Sequence, residues 1–265
     1  MNFRLPGLLL SFALAAPLLL AEPKEVEVNV NVDLTPAGRK LTLPTREHPA
    51  YYFPVVGGYR EEGAVTAGDK APPRRMVVRQ LAKTLAEHGY LVAGAKTPAP
   101  TVLLVFHWGC MNPEIEEFGD VSGDPEESRK LFLNQKKMLA LVAGQSLANL
   151  DLDFEREAVM QGAEEDRYFV VISAFDFAAA QQRKKVLLWR TKMSTTADTG
   201  DIGDVLATLI KSGGPWLGRE TVRPVWTKQP FEPRGTVKLG DLKVQEYLEP
   251  GRTPDKKPGG AAKKP

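Results

Sequence analysis

The chain has little of what compact chemistry is most often built from. It carries one cysteine, Cys110, and three histidines, His48, His88 and His107, in 265 residues. A lone thiol cannot form an intramolecular disulfide, so the fold must rest on its own core. The Gly-x-Ser-x-Gly elbow of a serine hydrolase is missing. The glycines of residues 57–74 include neither a Gly-Lys-Ser/Thr phosphate cradle nor the Rossmann spacing. Charge of one sign is also lacking: the formal net charge is +2, which leaves no overall electrostatic footprint for nucleic acid.

The N-terminal apolar run, residues 5–20, is 16 residues long, short of the roughly 20 that a membrane-crossing helix needs. With Arg4 ahead of it and Ala21 before Glu22-Pro23-Lys24, it reads as a signal peptide over residues 1–21, cut near Ala21. Export without disulfides fits a bacterial periplasmic or secreted protein. At the other end, Arg252, Lys256, Lys257, Lys263 and Lys264 stand against Asp255 alone, among Pro, Gly and Ala. Residues 249–265 have nothing to bury and read as a disordered basic tail. If that tail binds anything, an anionic surface is its natural partner, held by salt-sensitive attraction; the partner expected of the chain as a whole is an unknown envelope protein or such a surface. The body between the two ends is mildly acidic.

What is present is strand and helix patterning. Residues 25–33, EVEVNVNVD, alternate strictly, with Val26, Val28, Val30 and Val32 on one face. Residues 50–56 form a second strand, and Pro54 within it implies an edge position or a strand end. Pro72 and Pro73 open a helix whose apolar face is Val77, Val78, Leu81 and Leu85, and Gly89 stops it. His88, near the C-terminus of that helix, is accounted for by favourable charge placement. Residues 101–108, TVLLVFHW, form a buried strand. Strand, helix, strand in this order implies a right-handed crossover between parallel strands.

Residues 112–127 hold seven carboxylates and no basic residue. Asp120, Ser122 and Asp124 have the alternation that begins a calcium loop. Pro125 stands where the sixth-position glycine belongs, and Leu131 stands at the twelfth position in place of Glu. The expectation is instead a helix from Pro125 through Ala143, capped by Asp124, with Glu126 and Glu127 at its positive end. A second helix is expected over residues 153–163.

The densest strand-forming stretch runs from Arg167 to Ser194. Residues 168–175 are nearly all apolar, as in a strand buried on both faces. Asp176 ends them as a turn residue, and an Ala-rich connection leads to residues 185–193. Two strands joined by about eight residues pair antiparallel. The alternation through Arg190, Thr191, Lys192 and Met193 is expected to take the second strand out to a wetter edge, with Arg190 a strand-end charge. A helix over residues 201–211 follows. From about residue 219 an extended arm is laid on the body, ending in a strand over 236–244. The whole is one α/β (α+β) domain, residues 22–248, with a mixed β-sheet packed by helices.

The segments VVRQLAKTLAEHGYLV with TVLLVFHWG, and RYFVVISAFDF with KKVLLWRTKMS, together with the exported N-terminus, resemble uncharacterised secreted or periplasmic bacterial proteins. The layout is that of envelope lipoprotein-like α/β domains of unknown function: a helix ending in Gly-aromatic, a buried strand, then a strand pair with Asp closing the first strand and Trp-Arg in the second. No cysteine follows the leader, so the lipid anchor of that group is not available. The resemblance implies a fold and a compartment and brings no catalytic residues.

The chemistry within reach is limited. His107, Cys110 and Met111 lie within five residues and offer the soft donors that copper(I) prefers. In a straight strand, however, Cys110 points to the face opposite His107, and only a turn at Gly109 would unite them. No metal site is therefore expected. Cys110 is read as a small buried apolar residue, Met111 as a gap filler, and His107 as bonded to a backbone carbonyl. No catalytic residue and no cofactor motif stand out. The absence of a local catalytic signature favours a non-enzymatic binding or assembly module of the envelope. The alternative is an envelope hydrolase whose site combines distant carboxylates with His107.

Overall fold

The computed structural model describes residues 25–64, 70–118 and 129–231. The chain divides into two units, residues 1–233 and 234–265, and the described residues all belong to the first. The residues of the expected signal peptide, the calcium-loop candidates Asp120, Ser122, Asp124 and Pro125, and the expected 236–244 strand and basic tail lie outside the described residues.

Seven strands form a mixed sheet. In chain order they are β1 (Glu25–Leu34), β2 (Ala50–Glu62), β3 (Tyr90–Val92) and β4 (Val102–Met111); a separate hairpin, β5 (Ile115–Phe118) and β6 (Arg129–Phe132), follows; then come β7 (Arg167–Asp176), β8 (Leu187–Thr196) and β9 (Val225–Pro230). The order across the sheet is β3-β2-β4-β7-β8-β1-β9. The helices are α1 (Arg74–Glu87), α2 (Gln135–Val142), α3 (Asp153–Ala163), α4 (Phe177–Gln181) and α5 (Ile202–Gly213). This is the single mixed-sheet α/β domain that the patterning implies.

The β2–α1–β4 unit is parallel, as expected, and β7 pairs antiparallel with both β4 and β8 near the sheet centre. Asp176 closes β7 by accepting the amide of Ala179 at 2.6 Å, which caps α4. Pro54 is tolerated for a local reason. Tyr52 O accepts from Ala93 N on the β3 side, and two residues later the nitrogen of Pro54 points to that same side, where β3 has already ended. The arm beyond residue 219 adds β9 to the sheet edge beside β1.

One face of the sheet carries the main core. Val26, Val28, Val30 and Val32 pack there with alternate residues of β4, β7 and β8, beneath α1 and α5. Trp189 is buried in it, edge-on to Tyr90 with ring centroids 5.7 Å apart. The other face is covered over only part of its area, by α2, a 3₁₀ turn at Gly144–Asn149 and α3.

Two expectations are corrected. Residues 129–132 are a strand, so the helix of this region begins at Gln135 and does not run from Pro125. Arg129–Phe132 pairs with Ile115–Phe118, and that non-local partner overrides a sequence with good helix-start signals. Asn134 fixes the hairpin base to the sheet: its side chain accepts from Glu114 N and donates to Asn112 O.

The second correction concerns β8, which does not leave the core. Thr191, Lys192, Met193, Ser194 and Thr195 are all buried, because β1 flanks the strand and α2 and α5 cover it. Its polar residues face those of β1, and Asn29 and Asn31 are fully buried. These side chains serve the C-terminal end of α2, whose last carbonyls have no partner within the helix. Lys192 Nζ donates to Ala140 O at 2.6 Å, and Asn31 Nδ2 donates to Leu141 O and Val142 O. The ammonium lies at the negative end of the helix dipole and pairs with Asp33 at 2.7 Å. Asp33 in turn accepts Gln145 N.

Candidate functional site

Where α2 ends, the second face of the sheet opens into a groove of about 410 Å³. Strand register sets out that face in rows, whose β1 residues and Ser194 are buried outside the groove. Val55, Val105, Ser173, Arg190 and Asp33 stand side by side across the sheet; the next row is Gly58, His107, Val171, Lys192 and Asn31; then come Arg60, Gly109, Phe169, Ser194 and Asn29. Met111 of β4 and Lys137 and Leu141 of α2 complete the wall.

His107 sits in this groove because β2 is bulged. The β2–β4 register shifts between Val56 and Gly58, and the imidazole fills the space where a side chain at Gly57 would stand. A Cβ there would run into the ring. The next residue, Gly58, takes φ +88°, open to glycine at no steric cost. The ring does not meet a backbone carbonyl, contrary to expectation: its Nδ1 is buried without a hydrogen-bond partner. Burial pushes the His107 pKa down, and Arg60 and Arg190 push it further, against a smaller opposing effect of Glu62. The imidazole is therefore neutral at pH 7.

The groove is cationic. Arg60, Lys137, Arg190 and Lys192 line it against the single carboxylate of Glu62. Lys137 is matched to Glu62 at 3.3 Å and Lys192 to Asp33 at 2.7 Å. Among the described residues Arg60 and Arg190 are left without a carboxylate, and Arg190 Nε donates to Ser173 Oγ at 3.0 Å. Arg190 is thus a mid-strand groove residue and not a strand-end charge.

The other sequence candidates do not converge here. β4 runs straight through Gly109, a position with no room for a side chain because a Cβ would strike the carbonyl of Arg60. Cys110 therefore points into the main core, as expected, with its sulfur 3.7 Å from Tyr59 Oη. Met111 joins Met138, Leu141, Ala163 and Phe169 in a smaller cluster. Among the described residues no group of three or more His, Cys, Asp or Glu side chains could hold a metal. His88 stands at the C-cap of α1, as expected of a residue at that helix end; burial lowers its pKa, Glu87 opposes the shift, and Arg219 and Arg46 add to it. His48 lies in an exposed turn, its amide donating to Thr45 Oγ1.

The groove cations escaped the sequence reading. Their signal is alternation within strands: Arg190 and Lys192 on β8, Arg60 and Glu62 on β2. Such alternation normally marks a face open to water. Arg167 was missed as well. It is 1% exposed, and its guanidinium bonds Ser194 Oγ, Gly162 O and Glu165 and lies over the Trp226 ring, 5.8 Å from its centroid. Burial pushes its pKa down to about 10, against the pull of Glu165, Glu27 and Asp198. Arg167 ties α3 and β9 to the sheet behind the groove.

Fold and groove together define a single-domain α/β protein with a cationic, part-apolar cleft on an open sheet face. No protein-family model and no curated protein matches the chain. Among solved structures, it is similar to two crystal forms of the PelC dodecamer from Paraburkholderia phytofirmans. One is 12% identical and covers 70% of this chain and 93% of that chain, with a TM-score of 0.29. The other is 11% identical and covers 73% and 99%, with a TM-score of 0.30. Likeness at that level carries no argument about function. No helix among the described residues is long and apolar enough to cross a membrane.

Proposed function

We propose that the protein is an exported, non-enzymatic binding module of the bacterial envelope, and that its ligand site is the groove containing Arg60, His107 and Arg190. One observation carries this reading: four cations and a single carboxylate line an open cleft. An acid–base hydrolase needs a carboxylate to orient its histidine or to work beside it. Here Glu62 is engaged by Lys137, and His107 Nδ1 has no partner. The same cleft suits retention of an anion, because guanidiniums without a carboxylate, here an exposed Arg60 and a half-buried Arg190, form charge-assisted hydrogen bonds.

The test uses 8-anilinonaphthalene-1-sulfonate, an anionic aromatic probe that fluoresces on leaving water. Saturable binding is expected, weakened about tenfold or more in the Arg60→Ala, Arg190→Ala double variant, the loss of at least one charge-assisted contact. Hydrolysis of p-nitrophenyl esters or phosphates that disappears in His107→Ala would replace this reading with the hydrolase.

A further inference from the structure

The groove differs at its two ends. At one end stand His107 and, one row further along on the neighbouring strand, Arg60; Arg190 flanks His107 from two strands away, in the row of Val105. At the other, the sheet continues as an apolar strip that α4, through Phe177, borders at its far end. Phe53 and Val55 on β2 are 48% and 36% exposed. Leu103 and Val105 on β4 and Phe175 on β7 lie beside them, each half-buried. The Phe53 ring rests against that of Phe177, with centroids 6.0 Å apart.

Exposed apolar surface joined to unmatched charge marks a binding surface more readily than either feature alone. Its dimensions narrow the choice of occupant. From His107 to Leu103 the strip runs four residues, about 13 Å at strand rise, and its width is about two strand spacings, roughly 10 Å. That length matches one extended alkyl chain of about ten carbons, and the width accommodates it. The volume of the cleft also suits a small molecule. A bilayer would need a flat approach, whereas the arginines sit in a cleft bounded by α2.

We infer that the groove binds a single-chain amphiphile with an anionic head, its head between Arg60 and Arg190 beside His107 and its chain along Phe53, Val55, Leu103, Val105 and Phe175. This rests on the binding-module reading and names the ligand class of that same site. The head is recognised as an anion able to accept two or more guanidinium hydrogen bonds, a chemistry that carboxylates and phosphates share.

Titration calorimetry on the full mature chain tests it, with dodecanoate and dodecyl phosphate below their micelle concentrations, and with decanoate, dodecyltrimethylammonium and anionic phospholipid vesicles as comparisons. At least one of the two anionic dodecyl ligands is expected to bind one to one, and the tighter identifies the head. If dodecanoate is that ligand, decanoate should bind about fourfold more weakly, at about twofold per half-buried methylene. The Arg60→Ala, Arg190→Ala variant should lose roughly tenfold or more. Val55→Glu changes an exposed residue, so folding is retained, and it should weaken binding by placing a like charge along the chain. Equal affinity for the trimethylammonium analogue, or indifference to Val55→Glu, would overturn the inference. So would binding to vesicles alone. If the naphthalene sulfonate probe binds the groove and neither dodecyl anion does, the ligand class is wrong and the module stands. If no probe binds there, both fail.

Discussion

Three histidines meet three environments in this fold, and only His107 faces the groove. Its imidazole occupies space that Gly57 leaves open, and Arg60 and Arg190 flank it. Burial, then the two arginines, hold its pKa below the ordinary value near 6.5. A histidine depressed in the folded state binds fewer protons there than in the unfolded chain. Its contribution to stability is therefore intact above about pH 6.5 and is lost as the pH falls from there through the folded pKa. His88 is shifted the same way and adds to the same acid loss. In an NMR titration of the imidazole Cε1 protons, the His107 midpoint should fall below 6.5 and should rise in Arg60→Ala. A midpoint at or above 6.5 would mean that the ring is solvated and the groove less enclosed than described. Bound anion should shift that midpoint upward, so the affinity of the groove for anions should increase as the pH falls below about 7.

At the scale of elements, the polar face of β1 and β8 holds α2 over the sheet. Asp33, Asn31 and Lys192 meet the last turn of α2 and the 3₁₀ turn after it. Lys192 is buried, and Asp33 offsets part of the burial that lowers its pKa. Asp33→Ala would leave the ammonium uncompensated and should cost about 3–5 kcal/mol in urea melts, whereas Asp33→Leu with Lys192→Met should cost less than that single change. A loss below about 1 kcal/mol for Asp33→Ala would place the pair in water.

Much at this scale was legible in the sequence. Strict alternation marked β1, unbroken apolar runs marked β4 and β7, and a Pro-opened, Gly-closed pattern marked α1. The short elements β3, β5, α4 and β9 were not legible, and two longer readings failed for physical reasons. The polar residues of β8 looked wet because alternation reports polarity and cannot report that a helix end will cover it. Residues 129–132 looked helical because Asp124, Pro125, Glu126 and Glu127 imitate a helix start, while the strand there depends on pairing with residues 115–118. Half of the candidate site was legible for the same reason. His107 stood out as a rare residue at the end of a buried strand, whereas Arg60 and Arg190 come to flank it only through the order β2-β4-β7-β8.

On the scale of the whole molecule, the described helices cover the first sheet face more fully than the second, and the groove lies beside the covered part of the second face. Export is the proposal that places this surface in the envelope. Intact-mass spectrometry of protein expressed with its native N-terminus should show cleavage near Ala21; a retained Met1 or Asn2 on a membrane-bound product would contradict export by a cleaved signal. The location of the binding site is tested most directly by a two-dimensional amide NMR titration with 8-anilinonaphthalene-1-sulfonate. The groove predicts shifts clustered at residues 55–62, 103–111, 169–175 and 190–192, and their collapse in the Arg60→Ala, Arg190→Ala variant. Shifts centred on the separate hollow beside Arg46, His88 and Arg219, or scattered over the surface without saturation, would contradict it.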